Sequence, residues 1–249
     1  MSMRRLPSPP PSIDRRGFLQ RLGLAAAGLA GAPLAAHAAR APWRRPEFVF
    51  ARLRYDSGDW DYNPKVCANV LDSVVQYTSI PVHQQEVVIT ADSAELQAFP
   101  FLFMTGHKLV RFSAEERNRV SAYVASGGLL FSDDCNHDVN GLYARSFESE
   151  MVATFAREGT MPKLPRHHQL YRSFFRFDDG PPTTSHELNG WGDEIVHDYL
   201  RGIERQGRLG VLYSNKDYGC EWDYDWRNKR FQRQDNTKFA VNIVVYAMG

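Results

Sequence analysis

The residues with the most chemistry in this sequence follow short apolar runs. Asp56 and Asp59 come after Phe48–Tyr55, and Gly106-His107 comes soon after Phe101–Met104. Asp133-Asp134-Cys135 comes soon after Leu129–Phe131, and Ser214, Asn215 and Asp217 follow Arg208–Tyr213. Carboxylates and imidazoles gathered at one edge bind a divalent cation, activate water or hydrogen-bond a polyol. A single aspartate in such a place also has a plainer use, capping a helix or closing an Asx turn. The candidate catalytic group is Asp134, His107 and Asp133, an acid/base set for hydrolysis. The candidate ligand-binding group is Asp56, Asp59, Trp60, Cys135, His168, Ser214, Asp217 and Trp222.

Other side chains narrow the chemistry. His137 stands close to Asp133 and Asp134, but Asp-Asp-Cys-Asn-His-Asp matches no closed zinc spacing. A divalent cation stays an open option, and no metal ligand is assigned. Trp60, Tyr62, Trp222, Tyr224 and Trp226 flank polar loops. Their flat faces suit sugar rings or a protein interface, and equally suit packing that anchors the loops to a sheet. His167-His168 lies in a long irregular stretch from which it can reach the same edge, whereas His83, His186 and His197 carry no pattern. Of three cysteines, Cys67 falls in a helical pattern as a small core residue. Cys135 and Cys220 fall in loops and either pair or flank a site.

These residues share an edge only if the apolar runs are parallel strands. Phe48–Tyr55 alternates as a strand, and Asn63-Pro64 reads as cap and first turn of a helix with Val66, Val70, Leu71, Val74 and Val75 on one stripe. Val82–Ile89 predicts a second strand, and Ser93–Ala98 a short helix. Phe101–Met104 and Leu129–Phe131 have the unbroken apolarity of strands covered on both faces. Ser113 and Glu116 form a capping box for the helix between them, and another helix is expected over Leu142–Arg157. After an excursion of some forty residues, a candidate lid or rim, Tyr199–Arg205 and Arg208–Tyr213 predict two strands turning at Gln206-Gly207. Phe239–Met248 predicts a closing apolar helix. Strands alternating with helices at this spacing imply a mainly parallel α/β sheet with helices on both faces. Ligands of such sheets bind beyond the carboxyl ends of the strands.

The first 38 residues read as a twin-arginine signal peptide. Arg15-Arg16-Gly17-Phe18-Leu19 precedes a Gly/Ala/Leu-rich segment too short to span a bilayer, and Ala36-His37-Ala38 offers a cleavage site. Residues 39–47 form a proline-marked leader, and 48–249 a single domain. The expected partner during export is the twin-arginine translocon, and the expected location periplasmic or otherwise exported. The whole chain of 249 residues has 30 basic and 29 acidic residues. Removing the signal's five arginines and one aspartate leaves 25 and 28, a net of −3. A near-neutral surface argues against nucleic acid as the main partner. No later segment is long and apolar enough to cross a membrane.

The stretches Arg52–Trp60, Phe101–His107, Gly127–Cys135, Gly207-Arg208 with Tyr213-Ser214, Asp217 with Gly219–Trp222, and Asn242–Ala247 together resemble the DUF4159 family. The likeness runs in order along essentially the whole mature chain. It implies a flavodoxin-like three-layer sandwich related to the class I glutamine amidotransferase-like fold, and no agreed activity. Where the family pattern has His-Pro in the excursion, this chain has His168-Gln169. Amidotransferase chemistry needs a thiolate on a strained strand-to-helix elbow with a histidine base. No cysteine here has that context, and no Gly-x-Gly-x-x-Gly loop occurs. The leading expectation is an exported envelope domain binding a carbohydrate or protein partner at the strand-end rim. The alternative is a hydrolase, metal-assisted or using Asp and His, at the same rim.

Overall fold

Strands covered on both faces must be apolar on both, and the centre of this sheet is. In the computed structural model, which describes residues 47–223 and 234–249, six strands form one sheet in the order β2-β1-β3-β4-β6-β5. They are β1 (Ala51–Arg54), β2 (Val87–Thr90), β3 (Phe101–Gly106), β4 (Leu129–Asp134), β5 (Arg201–Arg205) and β6 (Arg208–Ser214). All neighbours are parallel except β5, which runs antiparallel to β6 at one edge. The described helices are α1 (Val66–Tyr77), α2 (Ala114–Ala125), α3 (Leu142–Phe155), α4 (Ser185–Leu188), α5 (Tyr218–Asp223) and α6 (Gln234–Met248).

Alternation along β3 divides the core. Phe101 and Phe103 pack with α1, α5 and α6, while Leu102 and Met104 pack with α2 and α3. The result is a mainly parallel three-layer α/β sandwich whose first four strands follow the flavodoxin-type order. No described helix is long and apolar enough to cross a membrane. The expected signal sequence, the expected leader through Pro46, and Tyr224 and Trp226 lie outside the described residues.

Several elements differ from the sequence pattern. Outside the short regular parts of β1 and β2, Phe48 and Val82 meet only in an isolated parallel bridge. Val75 is 57% exposed, because the residue after Val74 turns about 100° off the buried stripe. Asn63 does not cap α1: Lys65 holds the cap position without a side-chain bond, and Asn63 takes a left-handed φ of 60° that turns its amide elsewhere. The capping box of Ser113 and Glu116 on α2 is present. So is the β5–β6 turn, with φ of 53° at Gln206 and 74° at Gly207, the positive values a tight hairpin needs.

The difference with most effect on the site is at β3 and β4. Both strands continue past their apolar runs, pairing Thr105 with Asp133 and Gly106 with Asp134. The backbone ladder needs no apolar side chain, so polar residues expected in turns stand inside the sheet. The excursion also divides. Its first part forms a bridge from Lys163 to Arg201 of β5. Its second part is fixed by a buried Lys216–Glu187 ion pair (2.6 Å), with Lys216 Nζ also donating to the His197 carbonyl.

Candidate functional site

Because successive strand residues face opposite ways, the ends of β3 and β4 send Thr105 and Asp133 toward α5, and Gly106 and Asp134 toward α3. On the first face, Asp133 accepts backbone N–H groups of Tyr218 (3.2 Å) and Gly219 (2.6 Å) and hydrogen-bonds Ser214. Burial pushes its carboxyl up to about 7, and those hydrogen bonds work against the rise. Gly219 is required here, since a Cβ would stand 2.7 Å from Asn63 Nδ2 and 3.1 Å from Asp133 Oδ2.

Beside this cap lies a pair of free thiols. Cys135 Sγ accepts from Asn63 Nδ2 (3.0 Å) and lies 3.0 Å from Thr105 Oγ1. Cys220 Sγ donates to Asn63 Oδ1 at 3.4 Å, and its backbone N–H donates to Asp217 at 3.2 Å. The ligand atoms of Cys135, Asp217 and Cys220 fall within 4.8 Å of one another. Burial pushes the Cys135 thiol well up, whereas a hydrogen bond with Cys135 lowers Cys220. Burial and then the charge of Cys220 raise Asp217.

On the second face, Asp134 accepts from the Asn136 N–H (2.9 Å) and the Tyr213 hydroxyl (3.4 Å). Burial pushes it up to about 7 as well, the Asn136 bond opposing. A Cβ on Gly106 would meet the Tyr55 hydroxyl at 2.5 Å and Asp59 Oδ1 at 2.7 Å, so this position also needs glycine.

Above both faces runs a more open strip. Asp59 accepts the His107 backbone N–H (2.9 Å) and the Lys108 N–H (3.2 Å), and meets His107 Nδ1 at 2.9 Å. Burial works against ionisation of Asp59, yet these bonds hold its carboxyl below the usual range. The Tyr62 ring stands edge-on to His107 at 4.1 Å. Its phenol is raised, first by the charge of Cys220 and then by burial. Buried Arg52 fixes this loop: its guanidinium donates to the carbonyls of Trp60, Tyr62 and Asn63 and pairs with Glu86 at 2.7 Å. Across the thiols, His186 Nδ1 lies 3.5 Å from Asp217 Oδ2, and the His186 ring packs edge-on to Trp191. Trp191 is 64% exposed and Tyr62 44%.

The structure thus brings together Asp133, Cys135, Ser214 and Asp217, pairs Asp59 with His107, and separates the rest of the candidates. Asp133 and Asp134 point to opposite faces, and His107 pairs with Asp59 rather than with either of them, so the three do not form one acid/base group. Asp56 is exposed and outside these hydrogen bonds. Trp60 is half-buried with Arg54 over its ring. Trp222 is a packing residue, buried, stacked on Tyr218 and donating to the Asn236 carbonyl. His168 bonds Glu204 (2.9 Å), whose β5 position pairs with Leu209 near the start of β6, at the opposite edge of the sheet. His137 belongs to a separate group with Asp193 and His197. There its ring nitrogens face the carbonyls of Asn215 and Ile195.

Sequence reasoning missed Arg52, Asn63, His186 and Trp191. One of them had a local sign, a tryptophan set between Gly190 and Gly192, whereas Arg52 shares its strand with a second arginine, Arg54, and only burial tells them apart. Among the described residues, other surface grooves lie away from this strip. One of about 510 Å³ runs between residues 157–165 and β5, and one of about 420 Å³ between residues 176–183 and 196–198.

No curated protein matches the chain. Residues 49–248, which take in every strand and helix described, match the family described as a domain of unknown function, DUF4159. The chain therefore belongs to the DUF4159 family.

Proposed function

We propose that this chain is an exported cell-envelope domain, delivered by the twin-arginine route, that binds a carbohydrate on the strip beyond the carboxyl ends of β1, β3 and β4. One observation carries the reading: two exposed aromatic rings, Tyr62 and Trp191, each pack edge-on against an imidazole, that of His107 with its Asp59 partner and that of His186. Sugar rings offer apolar C–H faces to aromatic rings and hydroxyls to imidazole and carboxylate groups. The more deeply placed acids are engaged elsewhere. Asp133 caps α5 and Asp134 closes the turn at Asn136, which leaves recognition rather than acid/base work to the surface.

The test is a titration of the mature protein with envelope-type oligosaccharides, followed by the fluorescence of Trp191 and by calorimetry. Tyr62→Ala and Trp191→Ala are each expected to weaken binding about tenfold or more, the loss typical of a central aromatic contact. Full affinity in both variants sinks the proposal. If the same two residues are needed instead for capturing an envelope protein, the ligand is a protein partner. Hydrolysis is the second reading, favoured by the Asp59–His107 hydrogen bond, which orients an imidazole as a base is oriented. Product formation in the same titration, lost in His107→Gln, selects it.

A further inference from the structure

The geometry points to a thiophilic divalent-cation site, of the kind zinc occupies, built from Cys135 Sγ, Cys220 Sγ and an Asp217 carboxylate oxygen, with the Asn63 side-chain carbonyl as fourth donor. Three segments distant in sequence supply it: the loop before α1, the end of β4 and the start of α5. The donor atoms of Cys135, Asp217 and Cys220 already lie within 4.8 Å of one another. With Zn–S of about 2.3 Å and Zn–O of about 2.1 Å, a tetrahedron has S···S edges of roughly 3.8 Å and S···O edges of roughly 3.6 Å. The 3.4 Å from Cys220 Sγ to Asn63 Oδ1 is already close to such an edge. A small inward movement of the other donors completes the shell.

The surroundings favour a cation over an apolar filling. Asp133 lies against the same pocket wall, bringing a further acid next to two thiols and a carboxylate. Lys216, next to Asp217 in the chain, has its ammonium held by Glu187 and the His197 carbonyl. Asn63 reaches both sulfurs only because of its left-handed backbone and the missing side chain at Gly219. Thr105 donates its single hydroxyl proton to the Asp133 carbonyl, so toward Cys135 its oxygen can only accept, and the Cys135 S–H is directed onto Thr105 Oγ1 or the other sulfur. When metal binds, both thiol protons leave to solvent and two metal–sulfur bonds form, with no change of oxidation state. Cys220 is partly exposed and gives the ion its way in. A soft pair of thiolates with one carboxylate selects zinc-like ions over magnesium or calcium.

The experiment uses the full chain, reduced and stripped of metal, titrated with cobalt(II) and then challenged with zinc. Expected are one cobalt per chain, a thiolate-to-cobalt charge-transfer band, release of two protons, and displacement by zinc. Cys135→Ser and Cys220→Ser each abolish the band, with folding checked by circular dichroism. A second measurement on the unaltered chain covers the case of a misfolded variant: zinc protects Cys220 from alkylation. Absence of the band in the reduced protein overturns the proposal, as does alkylation of Cys220 at the same rate with and without zinc. Stoichiometric uptake without the band that survives both serine variants overturns it too, placing the ion at His137, Asp193 and His197. A chain that holds a Cys135–Cys220 disulfide and, once reduced, takes up no cobalt makes the pair a redox bridge instead and equally overturns it.

Discussion

Asp133 and Asp134 are neighbours on one strand, both fully buried and both pushed up to about 7, yet they belong to different parts of the molecule. Asp133 faces α5 and receives two backbone N–H groups, one at 2.6 Å, along with Ser214. Asp134 faces α3 among tyrosines and receives one backbone N–H and one long tyrosine bond. Equal burial and equal titration therefore conceal unequal roles. The first carboxylate organises the start of a helix and the thiol pocket beside it, whereas the second only closes a turn.

That comparison breaks most visibly in Asp133→Ala. The change strands two buried backbone donors at about 1–3 kcal/mol each, so a loss of about 4 kcal/mol is expected in urea unfolding. Cys220 should then react faster with thiol reagents, because α5 loses the contact that fixes its first turn. A loss under about 1 kcal/mol would mean that Asp133 does not hold α5.

The next effect is on pH dependence. A buried carboxyl with a raised pKa binds its proton more tightly in the folded chain than in the unfolded one. Its contribution is therefore full below the ordinary carboxylate range, declines as pH rises toward 7, and levels off above. One such group gives at most about 1.4 kcal/mol per pH unit, so Asp134→Asn should remove about 2.5 kcal/mol of the decline between pH 5 and pH 8. Asp59 and Asp193, held below the usual range, act in the opposite sense and lose their contribution only as pH falls through their lowered values. Comparing wild type with Asp134→Asn at each pH cancels them. Parallel stability profiles for the two proteins would refute the assignment.

The architecture was legible because it rests on period and punctuation. Phe101–Met104 and Leu129–Phe131 could only be covered strands, and Ser113 with Glu116 fixed where α2 begins. Cys135 and Cys220 were legible only as a pair or as flanks of a site, since the Asn63 amide that bridges them depends on a left-handed turn. That turn is a backbone choice which Asn permits and does not require. The reading failed where polar residues continue a strand. Thr105-Gly106 and Asp133-Asp134 look like turn residues, yet the β3–β4 ladder carries them inside. His168 failed for a topological reason, because the excursion returns along an antiparallel edge strand and delivers it to the far end of the sheet. Trp222, taken for a ligand platform, proved to be core because α5 turns it under Tyr218.

The smallest effect is the sharpest test of the two faces. The Tyr213 hydroxyl reaches Asp134 at 3.4 Å, near the limit of a useful hydrogen bond, and opposes the rise in that carboxyl's pKa. Removing it in Tyr213→Phe should cost about 0.5 kcal/mol at pH 5, where Asp134 is protonated and a poorer acceptor. Above the titration near 7 the cost should grow to about 1.5 kcal/mol, because the hydroxyl then serves a charged oxygen. The same change should move the Asp134 titration further up and leave Asp133, on the opposite face, nearly where it was. Carboxyl carbon shifts followed by NMR across pH 5 to 9 report both groups separately. If both titrations move together, the two faces are not electrically distinct, and the division between a helix-holding and a turn-closing aspartate fails.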